Sequence, residues 1–154
     1  MNSLQRLSSC LMLAILSSAF ICAADTTHPV TTADLIMASQ LNDRLSAVKS
    51  GRIVLLQVGF HTMYKMGHIP GSKYCGAASN AEGLAGLKKL VASLPRDQEI
   101  VIYCGCCPWD QCPNIRPAFQ TLKEMGFSNL KALDIPERLG DDWTAKGFPI
   151  VKGE

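Results

Sequence analysis

A single α/β domain, with a parallel sheet carrying helices on both faces, is the fold class this sequence predicts. Three observations carry the prediction. Two unbroken β-branched and aliphatic runs, RIVLLQVGF and EIVIY, lack the alternation of a half-exposed strand and read as strands covered on both sides. Segments of helical periodicity stand before, between and after them, which is the spacing of βαβ units. The chain has 154 residues, is 47% apolar and carries a formal net charge of +2, enough for one ordinary domain with a real core.

At the N-terminus, MNSLQRLSSCLMLAILSSAFICAA sets Arg6 ahead of an apolar run from Leu11 to Ala24, and DTTHP follows. This is the layout of a secretory signal peptide cleaved near Ala24. The run is shorter than the ~20 residues a spanning helix needs, and Ser17 and Ser18 interrupt it, so no stable membrane insertion is expected after cleavage. A lipoprotein signal at Cys22 is disfavoured by the bulky Ile21 before it. The expected organisation is a signal peptide over 1–24 and one domain over 25–154, in a periplasmic or secreted protein.

Within the domain, Thr31 and Thr32 precede ADLIMASQLNDRLSAVK, whose Leu35, Ile36, Leu41, Leu45 and Val48 recur at helical spacing before Gly51, predicting one amphipathic helix. RIVLLQVGF is the first long strand. A loop containing GHIPGS then leads to KYC, a short strand. After Ser79 and Asn80, AEGLAGLKKLVASL predicts a helix ended by Pro95, and EIVIY a second buried strand. IRPAFQTLKEMGF predicts a helix with Pro117 in its first turn and Gly126 at its end; NLKALDI is a third strand. DDWTAKGFP predicts a short helix closed by Gly147 and Pro149.

Arg6 is the only charge lost with the leader, and the remaining Lys and Arg are scattered, so nothing electrostatic points to nucleic acid. The domain keeps Cys75, Cys104, Cys106, Cys107 and Cys112, an odd number that leaves at least one sulfur unpaired within an oxidised chain. Four of them fall in YCGCCPWDQCPNIRP, between a buried strand and a helix. Parallel α/β sheets bind their ligands at the carboxyl ends of the strands, which is where this loop lies.

The order of LLQVGF, Gly67-His68-Ile69-Pro70-Gly71, IVIYC ending in Cys104, and LKEMGF, with Trp143, Gly147 and Pro149 beyond, resembles a rhodanese-like domain over about Thr32 to Val151. The resemblance implies that Cys104 accepts a sulfane sulfur as a persulfide from a small donor such as thiosulfate and passes it to a thiol or cyanide acceptor. It further implies that the backbone N–H groups of the loop stabilise the sulfur anion. Three departures accompany it. The family's Asp-Val-Arg is replaced by Gln57-Val58-Gly59. The stretch from Cys104 to Gly126 is longer than in the family, and Ile135-Pro136-Glu137-Arg138 stands where it carries Gly-Gly before its last helix.

Cys104, directly after the strand, is the expected nucleophile. Arg116 is a candidate to hold an anion in forked geometry, or a first-turn arginine facing water. Pro108 and Pro113 each remove a backbone donor from the loop, and Gly105 permits a tight turn beside the thiol. Cys106, Cys107 and Cys112 are candidates to resolve a persulfide or sulfenate on Cys104, releasing reduced sulfur and leaving a disulfide, or to form a structural staple. A bond between adjacent Cys106 and Cys107 would be strained. The loop could instead act as a thiol-disulfide redox site or bind Zn²⁺ or Cu(I), although C-x-C-C-x₄-C is not the two separated pairs of a usual zinc site. No cofactor is expected. His68 is expected to be a structural turn residue and His61 a loop residue. Trp109 is expected near the ligand, Trp143 in the packing, and Cys75 as a small buried hydrophobe.

Overall fold

In a computed structural model, which describes residues 28–153, five strands form one sheet: β1 (Leu35–Ile36), β2 (Ile53–Gln57), β3 (Lys73–Tyr74), β4 (Glu99–Tyr103) and β5 (Leu130–Leu133). Their order is β1-β5-β4-β2-β3 and every pair is parallel. The helices are α1 (Ala38–Asp43), α2 (Leu45–Lys49), α3 (His61–Met66), α4 (Ala81–Val91), α5 (Ile115–Glu124) and α6 (Leu139–Asp142). Residues 1–24, the expected leader, lie outside the described residues. Among the described residues no helix is long and apolar enough to cross a membrane.

Successive side chains of a strand point to opposite faces, and the two central strands divide accordingly. Val54, Leu56, Val58, Ile100, Ile102 and Cys104 pack with Leu87 and Val91 of α4 and with Ala118, Phe119 and Leu122 of α5. Ile53, Leu55, Val101 and Tyr103 face the other way, against Leu41, Val48 and Trp143. Both layers are built of buried apolar side chains, as the unbroken apolar runs require. Each fully buried Leu or Ile contributes about 1.5–3 kcal/mol, so these two layers dominate the stability.

Two local expectations are corrected. The segment predicted as one helix from Ala33 to Lys49 opens with a 3-10 turn (Thr32–Asp34) and then strand β1, whose Leu35 and Ile36 pair with Ala132 and Leu133 of β5. Sheet pairing outweighs helical periodicity there. The helix starts only after Met37, whose N–H donates to Gln40 Oε1 at 3.0 Å, and it breaks again at Arg44. The Arg44 guanidinium makes two 2.7 Å hydrogen bonds to the Glu99 carboxylate at the start of β4. The second correction is α3, in a stretch expected to be a loop that includes His61. Its six residues are too few to show a periodicity, and its N-cap Phe60 makes no side-chain cap.

Candidate active site

Cys104 is the first residue beyond β4, and its backbone is clamped from β2. Gln57, 2% exposed, donates from Nε2 to the Cys104 carbonyl at 3.1 Å, while its Oε1 accepts the Gly59 N–H at 3.2 Å. The Val58 N–H extends the β2–β4 ladder to Tyr103 O at 2.9 Å. A methyl group on Gly59 would lie 2.7 Å from Cys104 Sγ and 2.9 Å from Gln57 Nε2. Gln57 and Gly59 thus have definite roles. Gln57 satisfies the backbone at the strand ends, and Gly59 leaves the space that the Cys104 sulfur occupies.

Around that sulfur the loop gathers the other three. Cys104 Sγ lies 3.2 Å from Cys106 Sγ, which lies 3.0 Å from Cys107 Sγ and 3.9 Å from Cys112 Sγ. Cys104, Cys106 and Cys112 have sulfurs within 4.8 Å of one another and are the group that could hold a soft metal ion. All four are free thiols; Cys104 and Cys112 are buried, and Cys106 and Cys107 half-buried toward solvent. Asn114, fully buried at the N-cap of α5, reaches Cys104 Sγ with Nδ2 at 3.5 Å and accepts the Ser79 N–H on Oδ1 at 2.9 Å.

The sulfurs are electrostatically unequal. Cys112 is lowered to about 5, chiefly by a hydrogen bond from the Cys104 thiol, with the N–H groups of Asn114 and Ile115 and the Cys107 thiol adding to it against the opposing effect of burial. Cys104 is pushed up, first by donating to Cys112 and then by burial. Burial, then its contact with Cys106, raises Cys107. The loop thus favours negative charge at Cys112, two residues before Asn114, the N-cap of the ten-residue helix α5.

The cysteine loop docks on the segment from Ile135 to Leu139. Trp109 N–H donates to Ile135 O at 3.0 Å, and Leu139 N–H donates to Gly105 O at 3.1 Å. Gly105 has φ +84°, and a side chain there would also strike Leu139 Cβ. The Asp142 carboxylate accepts the N–H groups of Glu137 and Arg138 at 2.7 and 3.1 Å, holding the start of α6 in place. Trp109 is half-buried and meets the His28 ring edge-on at 5.6 Å.

The remaining sequence candidates have surroundings of their own. Arg116, in the first turn of α5, is exposed. His68 is buried, stacks on Tyr64 at 3.8 Å and places Nδ1 3.0 Å from Tyr64 O, a structural role. His61 stacks on Tyr74 at 4.7 Å. Trp143 is packed in the core with Nε1 donating to Pro149 O at 2.8 Å. Cys75 donates to Gln57 O at 3.2 Å, and burial pushes its thiol up to about 12. Asn114 escaped the sequence reading. A Pro-Asn pair ahead of a helix marks an N-cap, but nothing local reveals that its amide would turn to a sulfur ten residues upstream.

A family model described as Rhodanese-like domain matches residues 37–134. Among solved structures, the rhodanese-like domain of the Alr3790 protein of Anabaena is 21% identical, with 77% of this chain and 79% of that chain covered at a TM-score of 0.55. The BH2092 protein of Bacillus halodurans is 18% identical, with 76% and 75% covered at 0.58. A full-length protein of Lactobacillus plantarum is 16% identical, with 78% and 88% covered at 0.56. These likenesses establish the fold. No curated protein matches the sequence significantly.

Proposed function

The chain belongs to the rhodanese-like domain family, and from that premise we propose that it is a sulfurtransferase-type protein that carries sulfane sulfur as a persulfide on Cys104 and delivers it to a thiol acceptor. The observation that carries this reading is the placement of Cys104. It sits at the carboxyl end of a central parallel strand, its carbonyl held by Gln57, its sulfur 3.5 Å from the Asn114 amide and within 4.8 Å of the Cys112 sulfur. A thiol beside a base is the arrangement of an activated nucleophile. Cys112 takes the Cys104 proton as Cys104 attacks the outer sulfur of a donor RS–SH, and returns it to the departing RS⁻. Cys104–SH and RSSH become Cys104–S–SH and RSH. The Asn114 amide supports the sulfur at that position.

Polysulfides and organic persulfides suit this site better than thiosulfate. Pro108 and Pro113 offer no N–H to a sulfonate, and Gln57 and Gly59 carry no charge. The test is intact mass and peptide mapping of anaerobic, reduced protein after polysulfide treatment. A gain of one sulfur on the Cys104 peptide, or stoichiometric sulfide release, is expected and is lost in Cys104→Ser; neither product from the unsubstituted protein overturns the reading.

One observation favours a second reading. Three sulfurs within 4.8 Å of one another form a spacing that a single Cu(I) or Zn²⁺ ion can span with metal–sulfur bonds of about 2.3 Å. The same mass measurement under native conditions detects a bound ion.

A further inference from the structure

Resting on the persulfide reading, we propose that Cys112 is the resolving residue, so that the site releases its sulfur as sulfide and is left as a Cys104–Cys112 disulfide. This is a reductive activity in addition to simple transfer. It makes the protein a consumer of two kinds of substrate, a sulfane-sulfur donor and a dithiol reductant.

Three features single out Cys112. Cys112 stands two residues before Asn114, the N-cap of the ten-residue helix α5, whose N-terminus favours a negative charge on its sulfur. By contrast, every hydrogen bond of the Cys106 sulfur described here is to another sulfur. Thiol–disulfide exchange is carried out by the thiolate, and a position just before a helix N-terminus favours that form. Second, Cys112 Sγ lies within 4.8 Å of Cys104 Sγ, and both residues belong to the same buried core layer. The pair must close from there to the ~2.05 Å of a disulfide. Third, Cys104 and Cys112 are 3% and 2% exposed, so an internal thiol is held beside a persulfide on Cys104. Cys106 is nearer at 3.2 Å but is separated from Cys104 only by Gly105. Gly105 is fixed at φ +84° by its bond to Leu139, which limits how far that short bridge can adjust.

The Cys112 thiolate attacks Cys104 Sγ, the inner sulfur of the persulfide, and the bond to the outer sulfur breaks. Cys104–S–SH and Cys112–S⁻ become Cys104–S–S–Cys112 and HS⁻. The sulfane sulfur gains two electrons and the two cysteine sulfurs lose one each. A dithiol reductant then restores both thiols and leaves as its own disulfide.

The experiment treats anaerobic, reduced full-length protein with glutathione persulfide, measures sulfide, and maps the cysteine peptides after alkylation. The unsubstituted protein is expected to release about one sulfide per chain and to yield a Cys104–Cys112 disulfide. Cys112→Ser is expected to retain sulfur on Cys104 and to release sulfide at least tenfold more slowly, with Cys112→Ala as a second variant and circular dichroism confirming the fold. A Cys104–Cys106 disulfide in the unsubstituted protein overturns the proposal, as does a Cys104 persulfide there as stable as in Cys112→Ser. Both results leave the sulfur-carrier reading standing. Absence of both sulfide and adduct in all three proteins overturns the carrier reading, and the proposal with it.

Discussion

At the site, a single missing side chain decides what fits. Gly59 is not in the left-handed region, so the obstacle to a side chain there is steric rather than conformational. Gly59→Ala is expected to cost about 1–3 kcal/mol of stability by overpacking and to reduce sulfur loading of Cys104 more than tenfold. Urea unfolding and mass spectrometry check the two effects separately, and unchanged loading would show that the Cys104 sulfur does not need that space. Cys75 provides a pH test. Burial disfavours its thiolate, so its value rises from 9.0 to about 12. The stability contributed by keeping it neutral is complete below pH 9 and lost as pH rises toward 12. In folded protein, alkylation of Cys75 is therefore expected to become significant only as pH approaches 12; a labelling midpoint near 9 would contradict this.

At the scale of elements, the two long strands were legible as unbroken β-branched and aliphatic runs, and α4 and α5 because their apolar residues recur at helical spacing between clear stops. Strand β1 was not, because Leu35 and Ile36 fit a helical stripe equally well and only the distant edge of β5 decides between them. Of the site, Cys104 was legible from its place after EIVIY. The distinct character of Cys112 was not, because it depends on where the loop brings its sulfur relative to the start of α5 and to Cys104. The short helices are also held more by burial than by charge. Leu41→Ala in α1 is expected to cost about 2–5 kcal/mol. Arg44→Ala, which removes a partly exposed bidentate pair with Glu99, is expected to cost no more than about 1 kcal/mol. Denaturant unfolding of both variants checks the order.

Across the whole molecule, the C-terminal stretch is part of the fold. The His68 and Val151 backbones exchange two 2.9 Å hydrogen bonds, and Trp143 seals the layer opposite the sulfurs. Trp143→Ala is expected to cost about 3–5 kcal/mol and to lower the melting temperature in one cooperative transition measured by calorimetry. That layer also contains the partner of the reactive position. Tyr103 turns into it, its hydroxyl accepting the Ile69 N–H at 3.1 Å and lying 2.9 Å from Ser72 Oγ, while Cys104, the next residue, faces the other side. A slip of β4 by one residue against β2 would send the phenol to the thiol side and the thiol toward the His68 turn. Strand pairing thus gives the reactive sulfur its address, and any change that loosens the register would misdeliver the chemistry before it unfolded the protein.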